Sequence, residues 1–206
     1  MKRFIESVFT MSGNISELMN IPGATAWTIN DGSIFDSSIP LIKAKYELTI
    51  DNFDPEAFMA LLNEKRSTWD QNVTIYESLF SNPPDLNVCH YALGVPIPFM
   101  KAKDFVEKTI RFEQNGTHYS YSSYVPDQAC NTEGKYDRCH TIVGGSILKK
   151  EGENRYVYYV FSQMNLYLSS FVKMAVTKLL PGKLKEFYDQ IKQYAITEAV
   201  ISVSKT

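Results

Sequence analysis

Hydrophobic and polar positions alternate through most of the middle of the chain. They change to a helical period near the start, once in between, and at the end. Phe4, Ile5, Val8 and Phe9, followed by Ile15, Leu18 and Met19, give a weak helical pattern over residues 1–20, and Ile21-Pro22-Gly23 ends it. Residues 26–35 read as a hairpin turning at Asn30-Asp31-Gly32, residue types that tolerate the positive φ of a tight turn. Residues 41–50 alternate as a strand, with Ile42, Ala44, Tyr46, Leu48 and Ile50 on one side. Residues 51–70 switch to helical spacing. Asp54-Pro55 supplies an N-cap and a first-turn proline, and Phe58, Leu61, Leu62 and Trp69 form the buried stripe. Six strands then follow, at 73–80, 87–95, 105–113, 117–125, 138–149 and 155–165, with turns at 82–85, 114–116 and 151–154.

The last helix, residues 166–196, has two unlike halves. Its second half buries one face, with Leu184, Phe187, Tyr188, Ile191, Tyr194 and Ala195, and leaves Lys183, Lys185, Glu186, Asp189 and Lys192 mostly on the other. Its first half, Phe171 to Leu180, is apolar over more of its circumference, the pattern of a segment that is deeply buried or touches two apolar partners. Pro181-Gly182 predicts a break or kink between them, because proline removes a helical hydrogen bond and crowds the preceding turn. Two readings are open, a core helix with a bend and a lid with a hinge.

A meander of strands makes an antiparallel sheet, and one long amphipathic helix after it must bury its apolar face on that sheet. The fold class is therefore α+β, a helix-grip arrangement in which a curved antiparallel sheet wraps a long C-terminal helix and leaves space between them. The 206 residues fit a single domain, 1–206, with enough chain for a core without metal or disulfides. A net charge of −2 gives no sign of a nucleic-acid partner. Cys89, Cys130 and Cys139 are sparse, odd in number and wrongly spaced for zinc, which points to a reducing compartment. The amino terminus makes a poor signal peptide and no run is long enough to span a bilayer, so a cytoplasmic monomer is expected.

Several segments together resemble the START domain, the steroidogenic-acute-regulatory-related lipid-transfer module. Residues 56–70 resemble a family helix that ends in an arginine, two spacers and Trp-Asp, here Arg66, Trp69 and Asp70. Asp104-Phe105-Val106 matches the opening of a central strand, with Lys103 where the family favours arginine. Arg138 stands near the start of the penultimate strand, where the family often has Val-Arg-Ala. At the strand-to-helix junction, Gln163 to Leu166, Asn165 replaces the usual acid and the Gly-x-Pro turn is missing. The similarity is clearest over residues 42–194 and includes the mid-helix proline.

The resemblance implies one lipid, of sterol or phospholipid class, held in an internal hydrophobic tunnel between sheet and helix and exchanged with a peripheral membrane surface. It implies no catalysis, no cofactor and no metal. Family members pair an acid on one central strand with an arginine on the next. Counting from Lys103-Asp104, those places fall near His90 and Thr109, and neither keeps the charge. Arg111, Tyr119 and Tyr121 are further candidates, although a one-residue slip would turn each to the other side of the sheet. On the helix, Phe171, Met174, Ala175 and Lys178 are expected to face ligand, and Pro181-Gly182 to be the hinge. Residues 94–103 place Ile97, Phe99 and Met100 on a loop followed by Lys101 and Lys103, an apolar tip with a basic rim suited to shallow membrane insertion. The chain has no nucleophile elbow, phosphate loop or His-Glu-x-x-His pair, and the spacing of His90, His118 and His140 gives no support for a shared metal. An enzyme of the same fold, a lipid sensor and an interaction module with a filled core remain as alternatives.

Overall fold

Hairpin formation at the amino terminus differs from the pattern reading. The computed structural model describes residues 1–10, 15–29, 39–82, 86–95, 97–98, 100–126, 130, 134–195 and 197. Helix α1 (Lys2–Thr10) stops early, and Ile15–Ile21 is a strand, β1. It turns through Pro22-Gly23 into β2 (Ala24–Ile29), whereas the expected Asn30-Asp31-Gly32 turn lies outside the described residues. A bulge between Glu17 and Met19 explains the misleading spacing, since an inserted residue breaks the period of two and imitates a helical step. Gly23 adopts φ +79°, and a Cβ there would overlap the Tyr188 hydroxyl, so the turn needs glycine on two counts.

The remaining strands are β3 (Leu41–Thr49), β4 (Val73–Asn82), β5 (Leu86–Leu93), β6 (Lys103–Gln114), β7 (Thr117–Tyr124), β8 (Asp137–Arg138), β9 (His140–Lys150) and β10 (Arg155–Asn165). They form one curved sheet in the order β1-β2-β3-β10-β9-β7-β6-β5-β4, with antiparallel neighbours throughout. The short β8 pairs in parallel with the start of β6. Helix α2 (Pro55–Asn63) joins β3 to β4 and is capped by the Asp54 carboxylate, which accepts from the backbone N–H groups of Glu56 and Ala57. The predicted strands from residue 73 to 165 stand within a few residues of those observed.

Each face of the sheet has its own core. Helix α1 covers the outer face, where Ile5 and Val8 pack with Ile29, Leu41, Tyr119, Val143, Ile147 and Phe161. The inner face carries α2 and the second half of α3 (Ser170–Gln190), which bury Phe58, Met59, Leu61, Trp69 and Tyr188 against Tyr46, Leu48, Leu148 and Tyr158. Tyr188 stacks on Tyr46 at 5.4 Å, and its hydroxyl donates to the Glu47 carbonyl at 3.1 Å.

Helix α3 corrects two expectations. It begins at Ser170, with the Ser169 hydroxyl accepting from the Val172 N–H, and runs through Pro181 without a break. Its first half is also not buried. Phe171 is 76% exposed, Met174 54% and Leu179 43%. Tolerance of the proline follows from that exposure, because a carbonyl left without its helical N–H partner on an exposed stretch can be solvated.

Candidate ligand cavity

The hollow in this fold is made by small side chains. On the inner face, the neighbouring strands β7, β9, β10 and β3 present Ser120 and Ser122, then Gly144 and Ser146, then Val160 and Ser162, then Ile42 and Ala44. The bulky partners of this alternation, Tyr119, Tyr121, Tyr159 and Phe161, turn to the outer face beneath α1. A cavity of about 370 Å³ results between the sheet and the middle of α3, closed on the helix side by Leu180, Lys183, Leu184 and Phe187. That volume falls in the range of small-molecule sites, about 300–1,000 Å³.

One part of the wall is polar and is organised around Arg66. The 3-10 turn Arg66–Thr68 after α2 sends this arginine inward, where it pairs with Asp70 at 2.8 Å. Its guanidinium lies 5.9 Å from the Tyr91 ring and 5.8 Å from the Phe187 ring. Asp70 also accepts from the backbone N–H and the side-chain amide of Asn72, whose own oxygen accepts from Lys183 at 3.1 Å. Trp69 fixes the turn by donating its indole N–H to the Leu61 carbonyl at 2.8 Å. On β5 and β6, the Tyr91 hydroxyl donates to Glu107 at 3.0 Å. Burial pushes the Glu107 carboxyl above its ordinary range, against the opposing pull of neighbouring hydroxyls and Arg66. The Tyr46 hydroxyl on the cavity wall is buried with no hydrogen-bond partner among the described residues. The wall therefore offers an apolar body, a cation held by a carboxylate, and hydroxyls able to donate.

The residues expected from the sequence fall elsewhere. His90 is on the outer face, bonded to Asp104 at 3.0 Å; its neighbour Tyr91 is the one that lines the cavity. Counting along the strand placed the site one residue off, and one residue reverses the side. Thr109 is buried on the inner side with its hydroxyl on Ser122 at 3.0 Å, off the cavity wall. Arg111 clamps α2 to the sheet through Glu56 and Glu64, each at 3.0 Å. Tyr119 and Tyr121 lie on the outer face, the first donating to Glu6 at 3.1 Å and the second edge-on to Phe4.

Along α3, Phe171, Met174 and Lys178 are exposed and Ala175 is half-buried, so none of the four reaches the cavity wall. Pro181 and Gly182 sit inside a continuous helix. In the loop after β5, Ile97 and Met100 are half-buried, Lys101 is exposed and donates to the Gly134 carbonyl, and Phe99 lies outside the described residues. Lys103 is buried in an ion pair with Asp137 at 2.7 Å and cannot serve as part of a basic rim.

Of the motif residues, Arg66 and Asp70 line the cavity, whereas Asp104 and Arg138 form an ion pair at 3.0 Å on the other side of the sheet. The histidines do not converge: His118 faces Glu56 and His140 is bonded to Tyr167. The signals that pointed to the cavity were the small residues of TyrSerTyrSer and GlyGlySer, legible only once the strands lie side by side.

The sequence matches no family model, and no curated protein matches it. The fold is shared with solved lipid-transfer structures. The human StAR-related lipid transfer protein 5 aligns with a TM-score of 0.79 at 17% identity, over 96% of this chain and 93% of that one. Human STARD10 aligns with 0.75 at 18% identity, over 93% and 78%. A STAR-related lipid transfer protein fragment from Xanthomonas axonopodis aligns with 0.62 at 12% identity, over 93% and 99%. This chain has the START-like helix-grip fold.

Proposed function

We propose that this chain, acting as one domain, binds a single lipid in the cavity beneath α3 and exchanges it with membranes. The observation that carries the reading is the hollow itself, where four adjacent strands place small residues inward beside a polar wall built on Arg66. Burying about 300 Å² of apolar ligand surface at about 25 cal/mol per Å² is worth at most roughly 7.5 kcal/mol before ordering costs. The Arg66–Asp70 pair and the Tyr91–Glu107 pair would orient a small polar end, since each partner keeps further hydrogen-bonding capacity. Exchange is assigned to the exposed first half of α3, where Phe171, Met174 and Leu179 form an apolar surface next to the cavity. Ile97 and Met100 would be a second element of the same membrane contact.

The test is extraction of the purified protein with organic solvent and mass spectrometry of the extract, followed by uptake of fluorescent lipids from vesicles. A stoichiometric lipid, or saturable uptake, is expected. No extracted lipid together with no uptake from sterol-containing and phospholipid vesicles would sink the proposal.

A further inference from the structure

On the opposite side of the sheet from the cavity, three potential metal ligands converge from distant parts of the chain. Glu77 on β4 and His90 on β5 are direct cross-strand partners. Cys130, on the connection between β7 and β8, joins them, and one ligand atom from each lies within 4.8 Å of the other two. His90 is buried and bonded through Nε2 to the Asp104 carboxylate at 3.0 Å, which leaves Nδ1 as the nitrogen for a metal. A carboxylate behind a histidine is the usual means of holding a metal-ligating imidazole in the right tautomer and orientation.

The same carboxylate is gripped by Arg138, through Nε at 3.1 Å and Nη2 at 3.0 Å. Arg138 Nη2 also donates to the Cys130 carbonyl at 2.9 Å. The Asp104–Arg138 pair, buried on its carboxylate side, therefore positions both the imidazole and the residue bearing the thiol. Tyr136 stands edge-on to the His90 ring at 6.4 Å.

We infer that Glu77, His90 and Cys130 form a three-ligand site for a divalent transition metal, zinc by its ligand chemistry, with Asp104 and Arg138 as positioning residues. Thiolate, imidazole and carboxylate together suit zinc, and three protein ligands leave a fourth tetrahedral position open. Zinc bond lengths of about 2.0–2.3 Å put tetrahedral ligands roughly 3.3–3.8 Å apart. Loading thus requires the three atoms to close from a spread within 4.8 Å by at most about 1.5 Å, within reach of side-chain adjustment. A bound ion would pin the β7–β8 connection to the β4–β5 edge. The site is separate from the lipid cavity and stands or falls without it.

The experiment titrates the metal-stripped full chain with zinc alone and with cobalt alone. One equivalent of zinc is expected to bind, and cobalt is expected to give a thiolate charge-transfer band in the near ultraviolet. Cys130→Ser abolishes that band, and Cys130→Ser, His90→Gln and Glu77→Gln each weaken zinc binding at least tenfold. Asp104→Asn weakens it by about 10–100-fold. Cys89→Ser leaves the band in place, because Cys89 is buried on the inner side. Bound zinc also protects one thiol from alkylation. That thiol is Cys130, since Cys89 and Cys139 are both buried away from reagent while Cys130 is partly exposed. Failure to bind zinc, or zinc binding of equal affinity in Cys130→Ser and Glu77→Gln, overturns the assignment. Those two variants lie at partly exposed positions, so they decide the matter even if His90→Gln does not fold.

Discussion

Gly144 and Gly145 are neighbours in β9 with opposite surroundings, and substituting each with leucine tests both the cavity and the facing of the strand. A Cβ on Gly144 would stand 3.5 Å from Ser122 and from Thr141, an ordinary contact, and the rest of a leucine would enter the cavity. Four carbons at about one water's share of volume each, ~30 Å³, remove roughly 120 Å³, about a third of the cavity's 370 Å³. If the displaced ligand loses about 100 Å² of apolar contact, binding weakens by ~2.5 kcal/mol, roughly 70-fold in Kd. Stability should hold or rise, because a strand glycine is replaced and a void is filled. A Cβ on Gly145 would instead lie 2.7 Å from the Phe161 ring and 2.7 Å from the Ser120 carbonyl oxygen. Gly145→Leu should therefore destabilise the fold by about 2–3 kcal/mol. Titration with a fluorescent lipid and urea unfolding of both variants give the two readouts. A folded Gly144→Leu protein that binds lipid as tightly as the parent would refute the cavity as the ligand site. Destabilisation by Gly144→Leu with a neutral Gly145→Leu would mean that the two faces are exchanged.

Phe171→Ala combined with Met174→Ala should slow lipid exchange between vesicles by about tenfold, through lost apolar insertion, while occupancy at equilibrium stays the same. An unchanged rate removes the first half of α3 from the exchange step. Glu107→Gln tests the polar wall through pH. Burial raises the Glu107 carboxyl above its ordinary value of about 4.5, so its contribution to stability is present below about 4.5 and is lost as pH rises through the folded value. Denaturation midpoints of parent and Glu107→Gln should accordingly diverge with rising pH, the variant being the more stable, and parallel curves would count against a buried carboxyl. Gly23→Ala should cost about 2–3 kcal/mol, from its positive φ and from displacement of the Tyr188 hydroxyl; Gly23→Ala with Tyr188→Phe should recover part of that loss.

Most of the architecture was legible because it follows from short-range rules. The period of two marks the strands between residues 73 and 165, and Asp54-Pro55 marks the start of α2. Sidedness was not legible, because a bulge or a single miscounted residue reverses it. The ladders carry register shifts at Glu17/Met19, Ser78/Phe80 and Gln163/Met164, each of which resets the alternation. His90 stood in for Tyr91 through the miscount alone, since the β5–β6 ladder is regular, and the same one-residue slip left the side of Arg111, Tyr119 and Tyr121 open. The first half of α3 misled for another reason. Apolar composition shows what a segment can bury, but burial also needs an opposing surface, and this stretch has little. The meeting of Glu77, His90 and Cys130 depends on a strand pairing and a distant connection, and no local spacing encodes it.

The bond from Tyr188 to the Glu47 carbonyl joins positions 141 residues apart. The hairpin that Tyr188 abuts at Gly23 precedes the other eight strands in the chain, and the helix that carries Tyr188 follows all of them. Contacts of such long range are slow to form, and here they can form only after every strand of the sheet and then α3 are available. A chain that has reached β10 but lacks α3 would present the small-residue hollow of its inner face, beside α2, without a cover. Helix α3 thus completes the inner face, and the cavity comes into existence only when that helix docks.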